Sequence, residues 1–555
     1  MSRTKQLLDP VSLEILWSRL IAVTNEQAAA LMRTSFTPIV REVGDLSAAV
    51  FDARGRMLAQ AITGTAGHIN SLASGMRHFL AAYSGDQIHP GDVLITNDPW
   101  MTSGQLNDIS VVTPVFKGSV LVGFLGNCCH AIDIGGRGLS ADALEVYEEG
   151  LQIPITKLFE RGRRNEELVK ILSANVRAPA EVLGDLHAQV AGNEVGAERL
   201  LRYLDDFELD NLEELSDEII SRSEMALREA IRQLPDGRYN HVSYTDGFEE
   251  PIRVEVTLEV AGDQIDVDFA GSSPQVERGF NVVLNYTAAY THYALKCALC
   301  PEVPHNDGSF RPISVRAPEG SIFNPRFPAA VAARQIAGHF VPHAIFGALA
   351  PIIPDRVIAE GAGGIWLTTL RGRGSERFVS VFFNAGGTGA RPSKDGLSAT
   401  AFPSGVATAP VELTEATAPV IIRRKELRRD SGGAGQYRGG LGQTIDVEVR
   451  TGEPFVVSVL SDRFLHAAEG YAGGLPGAKA GFKTSNRKRG RPALSVALPA
   501  GTKFSLDLPG GGGYGNPSRR DLSLVDEDVR EGLISRAAAK RDYGWDAKTR
   551  PKEST

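Results

Sequence analysis

Apolar positions recur every three to four residues from 11 to 35 and again from 68 to 83, the period of a helix with one buried face. Asp9-Pro10 marks the start of the first helix: the aspartate can cap free N–H groups, and proline loses nothing at a first helical position. Between these helices, 44–60 alternates around Asp52-Ala53-Arg54-Gly55 and predicts a hairpin. Gly91 to Thr96 holds the short run Val93-Leu94-Ile95 and ends in Asn97-Asp98-Pro99, a chain-reversing turn that puts Asp98 at a strand end. Two β-rich runs, Ile109–Phe116 and Ser119–Leu125, are joined by Lys117-Gly118 and read as a second hairpin. A turn centred there pairs residues whose numbers sum to roughly 235 to 237, so Asp108 is expected opposite residue 127 to 129, beside His130.

Further along, 164–233 carries charged amphipathic helices, with Pro179 breaking the first and Pro235-Asp236-Gly237 ending the last. Strand alternation follows in 240–269, with Ile252–Val256 and Ile265–Phe269 as its clearest runs, and helices return at 284–299 and 340–350. Strand patterns between glycine-rich turns fill 417–508, and Asn516 to Thr555 reads as a polar tail with one helix. The expected fold is multidomain α+β with a β-rich C-terminal module. Its blocks are an N-terminal α+β region at 1–160, a helical segment at 161–235, a central α/β region at 236–416, the β-rich module at 417–515, and the tail at 516–555. No internal repeat is visible.

The densest chemistry lies between Asn97 and Gly136. His130 and Asp133 are three apart in HAIDIGG, a segment loose enough at Gly135-Gly136 to turn both side chains to one point, and the hairpin brings Asp108 to them. Imidazole with carboxylates suits zinc, manganese or ferrous iron. The same residues also fit an ordinary hydrogen-bonded hairpin end with loop aspartates. Cys128 and Cys129 point to opposite faces of their strand and read as packing.

Other segments invite weaker readings. The glycine runs at 385–391 and 431–435, the second with Arg438, could offer amides and a guanidinium to an anion, but turn geometry explains them equally well. No GxxxxGK[ST] motif occurs, so nucleotide binding by this chain is not expected. Gly510 to Gly513 read as a loop that approaches a neighbour closely. His339 and His343 are four apart on an apolar helix and read as packing; Cys297-x-x-Cys300 lacks a second pair and reads the same way. Glu148-Glu149 after Tyr147 could supply a general base, and Arg487-Lys488-Arg489-Gly490-Arg491 reads as a solvated turn.

An ordered series of motifs carries a family resemblance. EVGDLSAAVFDARG from Glu42 to Gly55, His68-Ile69-Asn70-Ser71, the Asn-Asp-Pro turn, LNDISVVTPVF, HAIDIGG, YEEGLQIPITKL and ANVRAPAEVLGDLHAQ resemble the B-type subunits of N-methylhydantoinases and 5-oxoprolinases, a group that includes the acetone carboxylase alpha subunit. The resemblance continues through FNVVLNYTAAYTHYALK, NDGSFRPISVRAPEGS, GGTGARPSKDG, DSGGAGQYRGGLGQ and PGGGGYGNP, and so spans nearly the whole chain. It implies the metal-assisted catalytic subunit of a cyclic-amide hydrolase (hydantoin, oxoproline or another lactam), whose hydantoinase A-type partner uses ATP and Mg to phosphorylate a carbonyl oxygen. A heterotetramer of paired subunits is implied, as is a divalent metal, Mn, Zn or Fe.

Carried over by position, the resemblance makes Asp45, His130 and Asp133 metal ligands. Gln105 stands where many relatives have histidine in a Gly-Thr-His-Leu-Pro-Asp pattern, a weaker ligand that leaves metal identity open. His68 is then a pocket-lining residue, Asp108 a further ligand or the carboxylate that orients His130, and Glu149 a proton acceptor. Two alternatives stand beside the hydrolase: an acetone-carboxylase-like chain acting on a phosphorylated ketone or enolate, and a scaffold without chemistry of its own.

Composition excludes little beyond this. The 555 residues carry 59 basic and 67 acidic side chains, a net charge of −8, which gives no electrostatic reason to expect nucleic acid. No apolar run approaches the roughly 18 residues of a membrane span, and Met1 to Leu20 lacks an apolar signal core. Four cysteines in this length suit a reducing compartment, and a cytoplasmic location is expected.

Overall fold

The computed structural model describes residues 9–372, 378–485, 487–492 and 494–546, and for 487–489 the backbone only. Helices and several small sheets mix along the chain, an α+β architecture. The residues gather into two compact units. Among the described residues the first draws on the ranges 1–240, 255–342 and 404–409, and the second on 241–254, 343–403 and 410–555. The blocks expected at 1–160 and 161–235 therefore share one unit, while the central region at 236–416 is divided between two.

The first unit is built on a seven-stranded sheet. Its strands are β1 (Leu46–Asp52), β2 (Met57–Gln60), β3 (Val93–Thr96), β4 (Asp108–Lys117), β5 (Val120–His130), β6 (Thr156–Glu160) and β7 (Arg163–Arg164), in the order β2-β1-β5-β4-β3-β6-β7. Helices cover it. Helix α1 (Pro10–Thr34) starts where Asp9 accepts from the N–H groups of Val11 and Ser12. Helix α2 (Ala66–Ala82) packs Leu72, Met76 and Phe79 against Phe51, Val112 and Phe124. Helix α3 (Pro179–Asp206), with proline in its first turn, joins α1 in a core of Leu13, Leu16, Leu20, Leu125, Leu200 and Leu204. Gly196 lets α3 come this close, because a Cβ there would lie 2.9 Å from Leu125. Helix α4 (Leu284–Leu299) lies along α2, where Asn70 donates to the Ala289 carbonyl at 2.9 Å and a side chain on Gly67 would meet the Tyr286 ring at 2.6 Å. Cys297 is on the last turn of α4 and Cys300 caps it.

The hairpin of β4 and β5 turns at Gly118, with φ +64°, as its sequence indicates. Lys117 faces Val120 and Phe116 faces Leu121, but the register shifts between Val115 and Phe116, and Val115 faces Gly123. This β-bulge moves the rest of the ladder by one residue, so Asp108 stands opposite His130 itself instead of residue 127 to 129. On its other side β5 pairs with β1, with Leu46 opposite Cys129.

In the second unit, Trp366, Phe455, Val457, Phe482, Phe504 and Leu506 form the core of two small antiparallel sheets. Beside them the glycine-rich segments lie main chain against main chain. Gly387 N–H donates to Pro509 at 3.0 Å, Gly433 to Gly511 at 2.8 Å, Gly511 to Gly440 at 3.0 Å, and Gly440 to Thr388 at 2.9 Å. Within the two glycine runs the amides of Gly387, Thr388, Ala390, Arg391, Ser431 and Gly433 already have carbonyl partners, and Arg438 is paired with Asp528, so these groups are not open to an anion. Gly510 to Gly513 approach their neighbours as closely as expected: a Cβ on Gly511 would sit 1.9 Å from the Thr388 oxygen.

Three other local readings are corrected. His339 and His343 do not share a helix, because Gln335–Gly338 ends at His339 and Val341–Leu349 starts afresh. The C-terminal tail forms two helices, Leu522–Arg530 and Arg536–Tyr543, and buries Val525, Ala539, Tyr543 and Trp545 with Ala434. Arg487–Gly490 is a strand, not a turn. Among the described residues no helix is long and apolar enough to cross a membrane.

Glycine packing of this kind is testable in two substitutions. Gly511→Ala is expected to destabilise by more than about 4 kcal/mol, since only backbone movement could admit the new carbon. Gly490→Ala, with nothing within 4 Å of the added carbon, is expected to change stability by less than about 0.5 kcal/mol. Thermal and denaturant unfolding of the two variants gives the comparison.

Candidate functional site

Three neighbouring strand ends assemble the centre of the site. Asp108 opens β4, His130 closes β5, and Asp45 enters β1, where its carbonyl accepts from the His130 N–H at 3.2 Å. Opposed residues of an antiparallel pair project to the same face, so the Asp108 and His130 side chains meet. The distance from Asp108 Oδ1 to His130 Nδ1 is 2.9 Å. His68, in the first turn of α2, adds its Nε2 at 3.1 Å from Asp108 Oδ2 and its Nδ1 at 3.6 Å from Asp45 Oδ1. Asp45 Oδ1 also accepts from the Thr65 hydroxyl at 3.0 Å. All four side chains are buried, Asp108 at 0% exposure.

A fifth group completes the cluster, and sequence reasoning missed it. Arg334 donates from Nη2 to Asp108 Oδ2, from Nη1 to the Gln105 side-chain oxygen, and from Nε to the Ser103 carbonyl at 2.6 Å. Its guanidinium lies 4.1 Å above the centre of the Tyr286 ring. The signal was present: Arg334 is the one charged residue in the apolar run from Ala329 to Gly338. A lone cation there needs a partner, but nothing local names Asp108.

Charge sets the protonation states. Burial works to raise the Asp108 pKa, yet His68, Arg334 and the bond from His130 outweigh it and hold this carboxyl well below its usual range. Burial opposes protonation of His68, but the carboxylates of Asp108 and Asp45 prevail and raise its pKa. Cys128 and Cys129 are buried, and burial raises both thiols, so neither offers a thiolate.

The residues expected to hold a metal do not assemble as a ligand set. Asp133 is held by Arg177, whose backbone N–H and Nη1 engage both its oxygens, the second at 2.7 Å. The Gln105 amide is engaged at both ends, donating to the Ala332 carbonyl at 2.8 Å and accepting from Arg334. The remaining group, Asp45, His68, Asp108 and His130, has a buried guanidinium on its central carboxylate. Among the described residues no three His, Cys, Asp or Glu side chains are disposed to hold a metal ion. This donor set does not fit a divalent cation.

Glu149 supports the cluster without joining it. It follows a short turn at Val146–Glu148, and its Oε1 accepts from the N–H groups of Val331 at 2.6 Å and Ala332 at 2.7 Å. It therefore holds the segment that leads into Arg334. Burial pushes its pKa up to about 8, so it is a neutral acid at pH 7 and not the free base expected from sequence. Its neighbour Glu148 pairs with Arg137 near the surface.

That titration has a sign. The folded carboxyl keeps its proton while the unfolded one loses it, so this residue's contribution falls as pH rises from 4.5 to about 8. Glu149→Gln preserves the neutral shape and is expected to flatten this slope, leaving the variant the more stable of the two above pH 8. Unfolding midpoints across pH 5 to 9, at about one-unit steps, measure the difference.

Comparison with known proteins places the whole chain. The family model for hydantoinase B/oxoprolinase matches residues 9–517. A protein assigned as the B component of a D-/L-hydantoinase in Pseudomonas sp. (strain NS671) is 31% identical, covering 97% of this chain and 95% of its own length. The beta component of the caprolactamase from Pseudomonas jessenii is 31% identical over 97% of this chain and 96% of its own. The crystal structure of the ATP-dependent caprolactamase from the same organism superposes with a TM-score of 0.87 at 29% identity, covering 99% of this chain and 98% of that one. A nucleotide-free acetone carboxylase has the same fold, with a TM-score of 0.86 at 19% identity over 98% of this chain and 80% of its own. This chain is a member of the hydantoinase B/oxoprolinase family.

Proposed function

We propose that this chain is the B-type subunit of an ATP-dependent cyclic-amide hydrolase and that the Asp108 cluster is its catalytic centre. The observation that carries the reading is the 2.9 Å contact between the ionised Asp108 and His130 Nδ1. A carboxylate only accepts, so Nδ1 carries a proton, and in the neutral ring Nε2 carries the lone pair. A histidine fixed in this tautomer is a general base. Arg334, as a cation, and His68, whose pKa is raised by the carboxylates, stand on the other oxygen of the same carboxylate.

A lactam carbonyl is a poor electrophile, and phosphorylation of its oxygen by an A-type partner, using ATP and Mg, would activate the carbon. The hydantoinase and caprolactamase relatives are each named as one component of a larger enzyme, which supports such a partner. His130 Nε2 then takes a proton from water as the oxygen bonds to that carbon. The ring nitrogen leaves with a proton, breaking the C–N bond and giving an acyl phosphate, and a second water releases phosphate and the carboxylate. Asp108 orients His130 throughout. Arg334, and His68 when protonated, offset negative charge that develops on the substrate oxygens.

His130→Asn tests the assignment, because the asparagine amide can still donate to Asp108 but has no basic nitrogen. With the A-type partner, ATP and a panel of hydantoin, 5-oxoproline and caprolactam, ring opening is expected to fall about 10²- to 10⁴-fold, with an unchanged circular dichroism spectrum. Undiminished turnover would remove His130 from the chemistry. Incorporation of labelled bicarbonate in place of hydrolysis would redirect the reading to a carboxylase.

A further inference from the structure

We propose that Arg334 occupies, permanently and by design of its surroundings, the place a divalent metal would need, so that the Asp108 cluster is a metal-independent centre whose fixed cation is a guanidinium. This does not depend on the reaction assigned above, because it concerns what the cluster binds.

Four observations on different elements converge. Arg334 is 3% exposed, and each of its three nitrogens donates to a separate acceptor of the unit: Asp108, Gln105 and the Ser103 carbonyl. Its position is built into the chain opposite. Gly104 has φ +79°, and a Cβ there would meet Arg334 Cδ at 2.9 Å and Nε at 3.2 Å, so the loop leaves a channel for this side chain. Gln105 fits an arginine better than a metal. Its amide nitrogen is fixed on the Ala332 carbonyl at 2.8 Å, which forces its oxygen to face the guanidinium. Finally, Tyr286 closes over the flat face at 4.1 Å, a contact suited to a planar delocalised cation.

The electrostatic consequence is exclusion. Arg334 and His68 share Asp108 Oδ2, and His130 takes Oδ1, so both carboxylate oxygens already face positive or proton-donating groups. A divalent ion on Asp108 would sit within contact range of a buried guanidinium that stays charged at any working pH. Asp133, which could have added a compensating charge, is bound to Arg177. The substitution of guanidinium for metal is thus a coupled set: the Arg334 side chain, the Gln105 acceptor, the Gly104 channel and an Asp133 engaged by Arg177.

Elemental analysis and thermal unfolding of the full chain test this without substrate or partner. The wild-type chain, dialysed against Mn²⁺, Zn²⁺ or Fe²⁺ and desalted, is expected to retain less than a tenth of an equivalent, with a Tm unmoved by these ions or by EDTA. The double variant Q105H/R334N, which removes the cation and supplies an imidazole, is expected to retain close to one equivalent and to gain Tm on adding metal. One equivalent in the wild-type chain, lost in His130→Ala, would overturn the proposal. So would a double variant that is folded by circular dichroism yet takes up no metal. If that variant is unfolded, Arg334→Asn with native Gln105 decides: it removes the cation and is expected to retain metal, and a folded single variant that takes up none would overturn the proposal.

Discussion

A carboxylate with no exposure to water must be met by positive charge, and the first unit is arranged around satisfying Asp108. An uncompensated buried ion costs several kcal/mol, far more than any single hydrogen bond returns. Three segments from elsewhere in the sequence answer that demand: the end of β5 through His130, the start of α2 through His68, and the segment after Ala333 through Arg334. The cluster is therefore structural and chemical at once. The groups that neutralise Asp108 are those whose tautomer and charge Asp108 fixes.

Supports around the centre follow the same logic. Gly67 allows α4 to lie against α2, which brings Tyr286 over Arg334. Glu149, neutral by burial, holds the N–H groups just before Arg334 without adding a charge that would compete for it. Arg177 fixes Asp133 and, through Nη1, the Gly135 carbonyl, tying down the loop after His130. The second unit rests on a different constraint. Its glycine segments pack main chain to main chain, so their hydrogen bonds supply order where side chains are lacking, and a single added carbon has nowhere to go.

Much of this was legible in the chain. Helices α1, α2 and α4 appear within two residues of their expected bounds, because each has a clean apolar period and a proline, polar or glycine boundary. The hairpin of β4 and β5 was marked by Lys117-Gly118, but its register was off by one, since a β-bulge at Val115 leaves no local signature in alternating apolar residues. The tail looked polar because its two short helices bury only a few residues each.

By itself the sequence determined the family, the α+β elements, and the approach of Asp108 to His130, all of which rest on local periodicity or on ordered motifs. Tertiary structure decided what that approach becomes. Arg334 is more than two hundred residues from Asp108, and no periodicity links them. Whether Asp133 faces the cluster depends on Arg177, forty-four residues on, and whether Gln105 faces a cation depends on Ala332 holding its other end. Charge compensation in a buried site is settled by whichever groups the packing delivers, and that is a property of the fold as a whole.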